Sequence, residues 1–231
     1  IQINDNRGRL FPVVTQKGSV LVNDPSLFPD ERGWPPADLK TEQHIAIGEL
    51  RATDVLTVAL RSEAIPGGQV PYSNDRLPAG LPAYRSLAEL LRRAAKRLLD
   101  IDTQELVLGL HPTGEGSMTV FLADALDNGA GYAAEIGRAD NFRRLLDETR
   151  TQIAVDWSDA RHADVCIGSC MDCLRSYDNR RLHGSLDWRL ALDMLDLLAG
   201  ECLTMDRWTA VAERAIASIA GTRLIDASSR M

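Results

Sequence analysis

Hydrophobic and polar positions alternate within the first third of the chain, and short runs rich in apolar residues follow in its middle. The segment EQHIAIGELRATDVLTVALRSE alternates with frequent β-branched residues, which predicts two half-buried strands near residues 44–51 and 54–61. The segments ELVLGLHP and SMTVFLAD predict two further strands. The TGEG sequence between these two segments is typical of a hairpin or a short loop.

A helical spacing of apolar residues begins at Ser86. Ser86 and Glu89 have the S-x-x-E spacing of a capping box, so we expect a helix to start there, after a proline- and glycine-rich loop over residues 65–82. Leucine and alanine occupy one face of this helix between residues 87 and 99. The opposite, solvated face carries four basic residues: Arg92, Arg93, Lys96 and Arg97.

The second half of the chain is predicted to be mainly helical. The glycine-rich DNGAGYAAEIG leads into one helix or a broken pair of helices, ADNFRRLLDETR. DWRLALDMLDLLAG and TMDRWTAVAERAIASIAG predict two amphipathic helices closed by Gly200 and Gly221, in which Trp188 and Trp208 are packing residues. Strands before helices predict an α+β fold, with an antiparallel sheet packed by several helices.

Composition and charge narrow the possible functions. The 231 residues suffice for a hydrophobic core, and no apolar run approaches the ~18 residues that would span a membrane. A net charge of −7 argues against a free-standing duplex-binding domain and leaves only local nucleic-acid contacts. The chain begins IQINDNRGRLF without methionine or a secretory signal, so we expect a piece of a longer, cytoplasmic polypeptide.

Three of the four cysteines lie close together in VCIGSCMDCLRSYDNRRLHG. Cys166, Cys170 and Cys173 have the spacing C-x3-C-x2-C, which can direct three thiolates toward one Zn²⁺ ion. For the fourth ligand we favour His183, which can loop back to the cluster, ahead of Cys202 and then His162. We therefore predict a zinc-binding loop in the C-terminal half of the chain.

Other interpretations of the cysteines are weaker. Free buried cysteines act as small hydrophobic residues, but these three are flanked by Gly, Ser, Asp and Arg. A redox C-x-x-C motif would be expected between a strand and a helix, and an iron–sulfur cluster generally needs four thiolates. Zinc is the interpretation that best fits the spacing.

Four arginines lie on or beside the cysteine loop, and a loop braced by zinc could present them to phosphates or to the bases of a single strand. Pairing with the abundant acidic residues on a solvated face is an equally good interpretation. The candidate nucleic-acid-binding residues are Arg175, Arg180, Arg181 and Arg189.

No pattern of catalytic residues stands out. Asp124, Asp127 and Glu135 are close in sequence, and as paired carboxylates they would suit a hydrolase or nuclease, but Asp127 has an ordinary role in turn formation. The amides after Gly129 and Gly131 could face an anion, although a tight turn is the simpler interpretation, and no Walker A loop is present. We therefore expect no enzymatic activity from this segment.

Three stretches together resemble a known family: SLAELLRRAAKRLLDIDTQEL, VFLADALDNGAGYAAEIG and CIGSCMDCLRSYDNRRLHGSLDWRLALDML. They look like the MZB zinc-binding domain, found C-terminal to the motor of MrfA-like DEAD/DEAH-box helicases and in helicase-associated proteins of phage-defence systems such as DISARM. The resemblance covers roughly residues 44–200. By position, Cys166, Cys170 and Cys173 resemble three of the family's four cysteine ligands.

The resemblance implies an accessory domain without a motor of its own. Residues 44–203 would be the MZB-like domain, preceded by an arm or edge strands over residues 1–43 and followed by a helix and tail over residues 204–231. Its partners would be a superfamily-two helicase motor, in the same or a partner chain, and DNA, in a defence or repair setting. The alternative is a scaffold domain that docks a protein partner, which the acidic net charge favours over autonomous DNA binding.

Overall fold

A computed structural model of the protein divides the chain into two compact units, Ile1–Ala52 and Thr53–Met231. The structure describes residues 2–4, 11–16, 19–22, 43–45, 47–49, 52–60, 77–113 and 117–220.

Short antiparallel strands make up the described part of the first unit. Strand β1 (Gln2–Asn4) pairs with β5 (Ile47–Glu49). Strand β2 (Phe11–Gln16) lies between β3 (Ser19–Val22) and β4 (Gln43–Ile45). His44, on β4, is exposed and pairs by register with Pro12.

The second unit contains a three-stranded antiparallel sheet. Strand β8 (Met118–Asp124) is central, between β6 (Val55–Val58) and β7 (Leu106–Pro112). The two strands predicted from ELVLGLHP and SMTVFLAD are therefore confirmed as a hairpin. Most of the TGEG turn lies outside the described residues.

Helices account for most of the remaining described residues of the second unit. A π-helical turn, Thr149–Ile153, joins the helices over residues 139–148 and 154–158 into one continuous rod. A separate short helix over residues 132–136 precedes this rod, so the glycine-rich turn feeds a broken pair, one of the two expected arrangements. Short 3₁₀ segments cover Thr103–Glu105, Arg180–Ser185 and Met205–Trp208. The helices are α1 (Gly80–Leu99), α2 (Tyr132–Ile136), α3 (Ala139–Glu148), α4 (Ala154–Ser158), α5 (Ala160–Ala163), α6 (Trp188–Leu198) and α7 (Thr209–Ala220).

The predicted start of α1 is wrong. The helix begins at Gly80, within the stretch expected to be a loop, and Pro82 is accommodated because the first turn needs no amide donor there. Ser86 is consequently an interior residue, and its hydroxyl accepts a hydrogen bond from the Asp187 amide at 3.0 Å. Glu89 pairs with Arg92 at 2.7 Å instead of capping the helix.

The core forms where α1 packs against the sheet on one side and α6 on another. Leu87, Leu90 and Leu91 of α1 are fully buried, together with Leu192 and Leu195 of α6. Each such side chain stabilises the fold by about 1.5–3 kcal/mol through removal from water. The α+β fold with an antiparallel sheet and several helices is thus confirmed. Among the described residues, no helix combines the length and apolarity needed to cross a membrane.

Candidate metal centre

The candidate metal ligands lie in α5, which carries His162, and in the turns between α5 and α6, which carry the three cysteines. Asp159 ends the α3–α4 rod and caps α5, its carboxylate accepting a hydrogen bond from the Arg161 amide at 2.9 Å. The His162 carbonyl then accepts a hydrogen bond from the Cys166 amide at 2.9 Å, so the first cysteine lies in the turn that follows α5. This hydrogen bond fixes the separation of His162 and Cys166.

Four ligand atoms, from His162, Cys166, Cys170 and Cys173, all lie within 4.8 Å of one another. The Sγ atom of Cys173 is 3.8 Å from that of Cys166 and 3.6 Å from that of Cys170. Zinc–sulfur bonds of about 2.3 Å at tetrahedral angles place two sulfurs about 3.8 Å apart. The spacing of the thiols therefore suits a tetrahedral zinc site.

The imidazole of His162 is oriented for metal binding. Its Nδ1 atom is 2.8 Å from the Trp157 carbonyl, which can only accept a hydrogen bond, so Nδ1 carries the proton. The Nε2 atom is buried and, among the described residues, has no hydrogen-bond partner. Zinc-binding histidines are typically held this way, with one ring nitrogen on a carbonyl and the other on the metal. This nitrogen is the strongest indication that the four residues fit zinc.

The surroundings of the cluster favour a bound cation. Burial raises the pKa of the Cys166 thiol, and the neighbouring sulfur of Cys173 raises it further because two thiolates repel each other. Burial likewise raises the pKa of Cys173, although the Cys170 amide donates to its sulfur at 3.0 Å and favours the thiolate. A divalent cation among the sulfurs removes this repulsion and deprotonates the thiols.

Two tryptophans enclose the histidine side of the cluster. The ring of Trp188 lies edge-on to His162 with 5.4 Å between centroids, and its Nε1 donates to the Cys166 carbonyl at 3.1 Å. The ring of Trp157 is the second aromatic neighbour of His162, with 6.4 Å between the ring centroids. The sequence prediction that Trp188 is a packing residue agrees with its 1% exposure.

The structure does not bring His183 into the group of ligand atoms. Its Nε2 lies 2.9 Å from the Ser176 carbonyl and 3.0 Å from Oδ1 of Asn179, so it donates within its own loop. The side chain of buried Asn179 donates a hydrogen bond to the Leu174 carbonyl and accepts one from the Ser176 backbone amide. The loop after the third cysteine is therefore held by Asn179 and His183. Cys202 is exposed and also lies outside the group.

The four candidate nucleic-acid-binding arginines differ in accessibility. Arg180 and Arg181 are exposed, and Arg180 stacks on the ring of Tyr177 at 4.5 Å. Arg175 is half-buried and donates to the Ser169 hydroxyl at 2.9 Å. Arg189 is 1% exposed and its donors are used by backbone carbonyls, so the structure contradicts a role for it in contacting nucleic acid.

The acidic residues are arranged as a structural turn and not as a catalytic pair. The buried Asp124 carboxylate accepts hydrogen bonds from the amides of Ala130, Tyr132 and Ala133 at 2.6, 3.1 and 2.8 Å. The anion that these amides face is thus part of the chain itself. Glu135 binds Arg138 and Asn141 at the surface. Gly129 and Gly131 adopt left-handed backbone angles that this turn requires.

Sequence reasoning ranked His162 third, and the spacing H-x3-C to Cys166 was the signal that could have placed it first. Ligands separated by two to four residues commonly share a zinc ion. Tyr177, with 76% exposure beside Arg180, carried no signal of its own. Arg93, expected on a solvated face, instead contacts carbonyls of the cysteine loop, a tertiary contact without a sequence pattern.

A comparison with known families finds a match within this part of the chain. Residues 87–174 match the MZB family, described as the MrfA Zn-binding domain. The matched range contains His162 and all three clustered cysteines, and it ends before His183. The resemblance is confirmed, and zinc is the metal that the family and the cluster both indicate. No curated protein and no solved structure is significantly similar to the chain.

Proposed function

We propose that this chain, whose residues 87–174 form an MZB zinc-binding domain, holds one structural zinc ion through His162, Cys166, Cys170 and Cys173. The observation that carries the assignment is the buried, unpartnered Nε2 of His162 beside three thiols. Four protein ligands leave no open position for water or substrate, which is typical of structural and not catalytic zinc. When bound, the ion joins α5, through His162, to the turns that carry Cys166, Cys170 and Cys173.

The parent protein is proposed to be a superfamily-two DEAD/DEAH-box DNA helicase or a subunit that works with one. The match to the MZB family, described as the MrfA Zn-binding domain, supports this proposal. A zinc-binding domain of this kind is not itself catalytic, and the sequence contains no Walker A loop. In this proposal the motor lies in the same or a partner chain, and the protein acts in the cytoplasm.

The loop after the third cysteine is the proposed DNA contact. Arg180 and Arg181 are exposed and can neutralise phosphates, while Tyr177 has an exposed ring on which a base can stack. Arg175 lies beside them, half-buried against Ser169. Asn179 and His183 hold the loop backbone in place, so the contact residues are presented on a rigid support. A few local contacts are compatible with a net charge of −7.

The test combines metal analysis with single-stranded DNA binding. We expect one zinc per chain, and DNA binding that weakens with salt and falls in Tyr177→Ala and in the double variant Arg180→Ala, Arg181→Ala. Arg143→Ala is the control, since Arg143 is an exposed arginine on α3, away from the loop, that pairs with Asp140. Equal losses in the control and in the loop variants would contradict this loop as the contact.

A protein-docking function is the second candidate, and exposed apolar residues favour it. Val165, Ile167 and Met171 are 76%, 74% and 62% exposed and all lie between metal-binding positions. Side chains of this type on a zinc-braced loop suit a protein interface, where methionine and other apolar residues are enriched at the core. Co-purification of a partner that is lost in Ile167→Ser, with DNA binding absent, would favour docking over the DNA role.

A further inference from the structure

Two arginines from different helices bind the backbone of the cysteine loop. Arg93 of α1 donates from Nη1 to the Cys173 carbonyl and from Nη2 to the Asp172 carbonyl, the latter at 2.9 Å. Arg189 of α6 donates from Nη1 to the Ile167 carbonyl at 2.7 Å and from Nη2 to the Cys166 carbonyl at 3.4 Å. Each guanidinium therefore spans one cysteine and its neighbour, at the first and last thiols of the cluster.

Arg189 is fixed more rigidly than a surface arginine. It is 1% exposed, stacks on the Trp188 ring at 4.4 Å, and donates from Nε to the Arg207 carbonyl at 3.0 Å. It also forms an ion pair with the Asp187 carboxylate, 3.7 Å from Nη1. A buried guanidinium whose hydrogen bonds go mainly to carbonyls is stabilised by further negative charge nearby.

A loaded zinc site supplies such charge. Three thiolates, one neutral imidazole and one dication together carry a net charge of −1. The guanidinium groups of Arg93 and Arg189 are bonded to residues that hold two of those thiolates. The attraction is therefore mutual, because each arginine is more favourable beside a loaded site and the loaded site is more favourable beside the arginines.

We propose that Arg93 and Arg189 are positioning residues of the zinc site, which orient the Cys166 and Cys173 thiolates through their backbone and compensate the net charge of the metal cluster. The inference rests on the proposed zinc site. Neither arginine touches the ion, so both act as outer-shell groups. Removal of such groups typically lowers metal affinity by about 10–100-fold.

The test measures zinc affinity by competition with a chromophoric chelator, together with the rate of zinc release and the thiolate-to-metal absorption of the cobalt-substituted protein. We expect Arg93→Met and Arg189→Met to weaken zinc binding by about 10–100-fold and to shift the cobalt spectrum. Arg189→Lys keeps the charge but not the two-pronged geometry, and is expected to recover part of the affinity.

Arg92→Met is the matched control. Arg92 is a neighbouring buried arginine of α1 that pairs with Glu89 at 2.7 Å and is not hydrogen-bonded to the cysteine loop. The Arg92→Met substitution should lower the denaturant midpoint of unfolding without changing zinc affinity. This result would separate a general loss of stability from a loss of ligand positioning. If Arg189→Met fails to fold, the Arg93→Met variant alone tests the proposal, because Arg93 is only half-buried.

The outcomes separate the two proposals. A wild-type protein that binds zinc, with affinity and cobalt spectrum unchanged in both methionine variants, would overturn the positioning role and leave the zinc site standing. A wild-type protein that binds no zinc or cobalt would overturn both proposals. Loss of affinity in Arg93→Met and Arg189→Met but not in Arg92→Met would support the positioning role.

Discussion

Two loops of the second unit each surround one charged centre, but the centres have different origins. The turn over residues 124–133 folds around the carboxylate of Asp124, which is part of the chain and accepts three backbone amides. The loop over residues 162–173 brings three thiols and an imidazole around a position for a cation that must come from solution. We therefore expect the first loop to fold unaided and the second to depend on a bound cation for its stability.

Zinc removal should separate the two loops most clearly. Structural zinc contributes about 10–16 kcal/mol in small zinc-binding peptides, which is comparable to the whole stability of a domain. We expect a strong chelator to abolish amide protection at Cys170 and Arg175, and to lower the melting temperature markedly. Amides of Ala130 and Ala133, bound to Asp124, should stay protected in whatever fold remains. Hydrogen exchange with and without chelator measures the protection of the amides in both loops.

The opposite exchange pattern would contradict this contrast between the loops. If Ala130 lost protection together with Cys170, the two loops would form one cooperative unit. If neither lost protection after zinc had left, the cysteine loop would be stable without its ion.

Replacing His162 tests the assignment of the fourth ligand. We expect His162→Ala to lower zinc affinity by at least about 100-fold, because it removes a direct ligand and outer-shell losses alone reach that size. His162→Cys supplies another ligand that zinc accepts and should retain one ion per chain. Chelator competition measures both variants. Unaltered affinity in His162→Ala would remove this residue from the site.

Replacing Asp124 tests the other loop. Asp124→Ala leaves three buried amides without their acceptor, and we expect a loss of about 3 kcal/mol in the free energy of unfolding. Asp124→Asn keeps one acceptor oxygen and should lose less. Zinc content should remain at one ion per chain in both variants, as urea unfolding and metal analysis can show. A zinc content that fell with Asp124→Asn would mean that the loops are coupled.

Replacing His183 should have the smallest effect. Its imidazole donates within the loop at 2.9 Å, so His183→Ala is expected to cost about 1 kcal/mol of stability and to leave zinc affinity unchanged. The comparison with His162→Ala uses the same substitution in the same part of the chain. A loss of zinc in His183→Ala that matched the loss in His162→Ala would restore His183 as a ligand candidate.

Local patterns explain why some elements were predictable. Strands β7 and β8 are short, mainly apolar runs between turn formers, and α6 is followed by Gly200 in the left-handed conformation that glycine favours. The start of α1 was missed because Ser86 and Glu89 have the spacing of a capping box. In the structure, Ser86 instead accepts a hydrogen bond from the distant Asp187 amide, and Glu89 pairs with Arg92 of the same helix.

The fourth ligand shows the same limit of sequence reasoning. His162 and His183 both lie within ten residues of a clustered cysteine, so chain length alone permitted either. The Trp157 carbonyl orients His162 toward the thiols, and Asn179 and Ser176 occupy His183. Hydrogen-bond partners of an imidazole decide its role, and these partners are brought together by folding.

The sequence by itself determined the fold class, the β7–β8 hairpin and the presence of a zinc-type cysteine cluster, because each depends on spacing within a short stretch of chain. Only the tertiary structure decided which histidine faces the thiols and which arginines remain available. The sequence predicted Arg189 to be a nucleic-acid-binding residue, yet it is buried and hydrogen-bonded to the carbonyls of residues 166, 167 and 207. Contacts between residues far apart in sequence carry no local pattern, so their outcome appears only when the chain has folded.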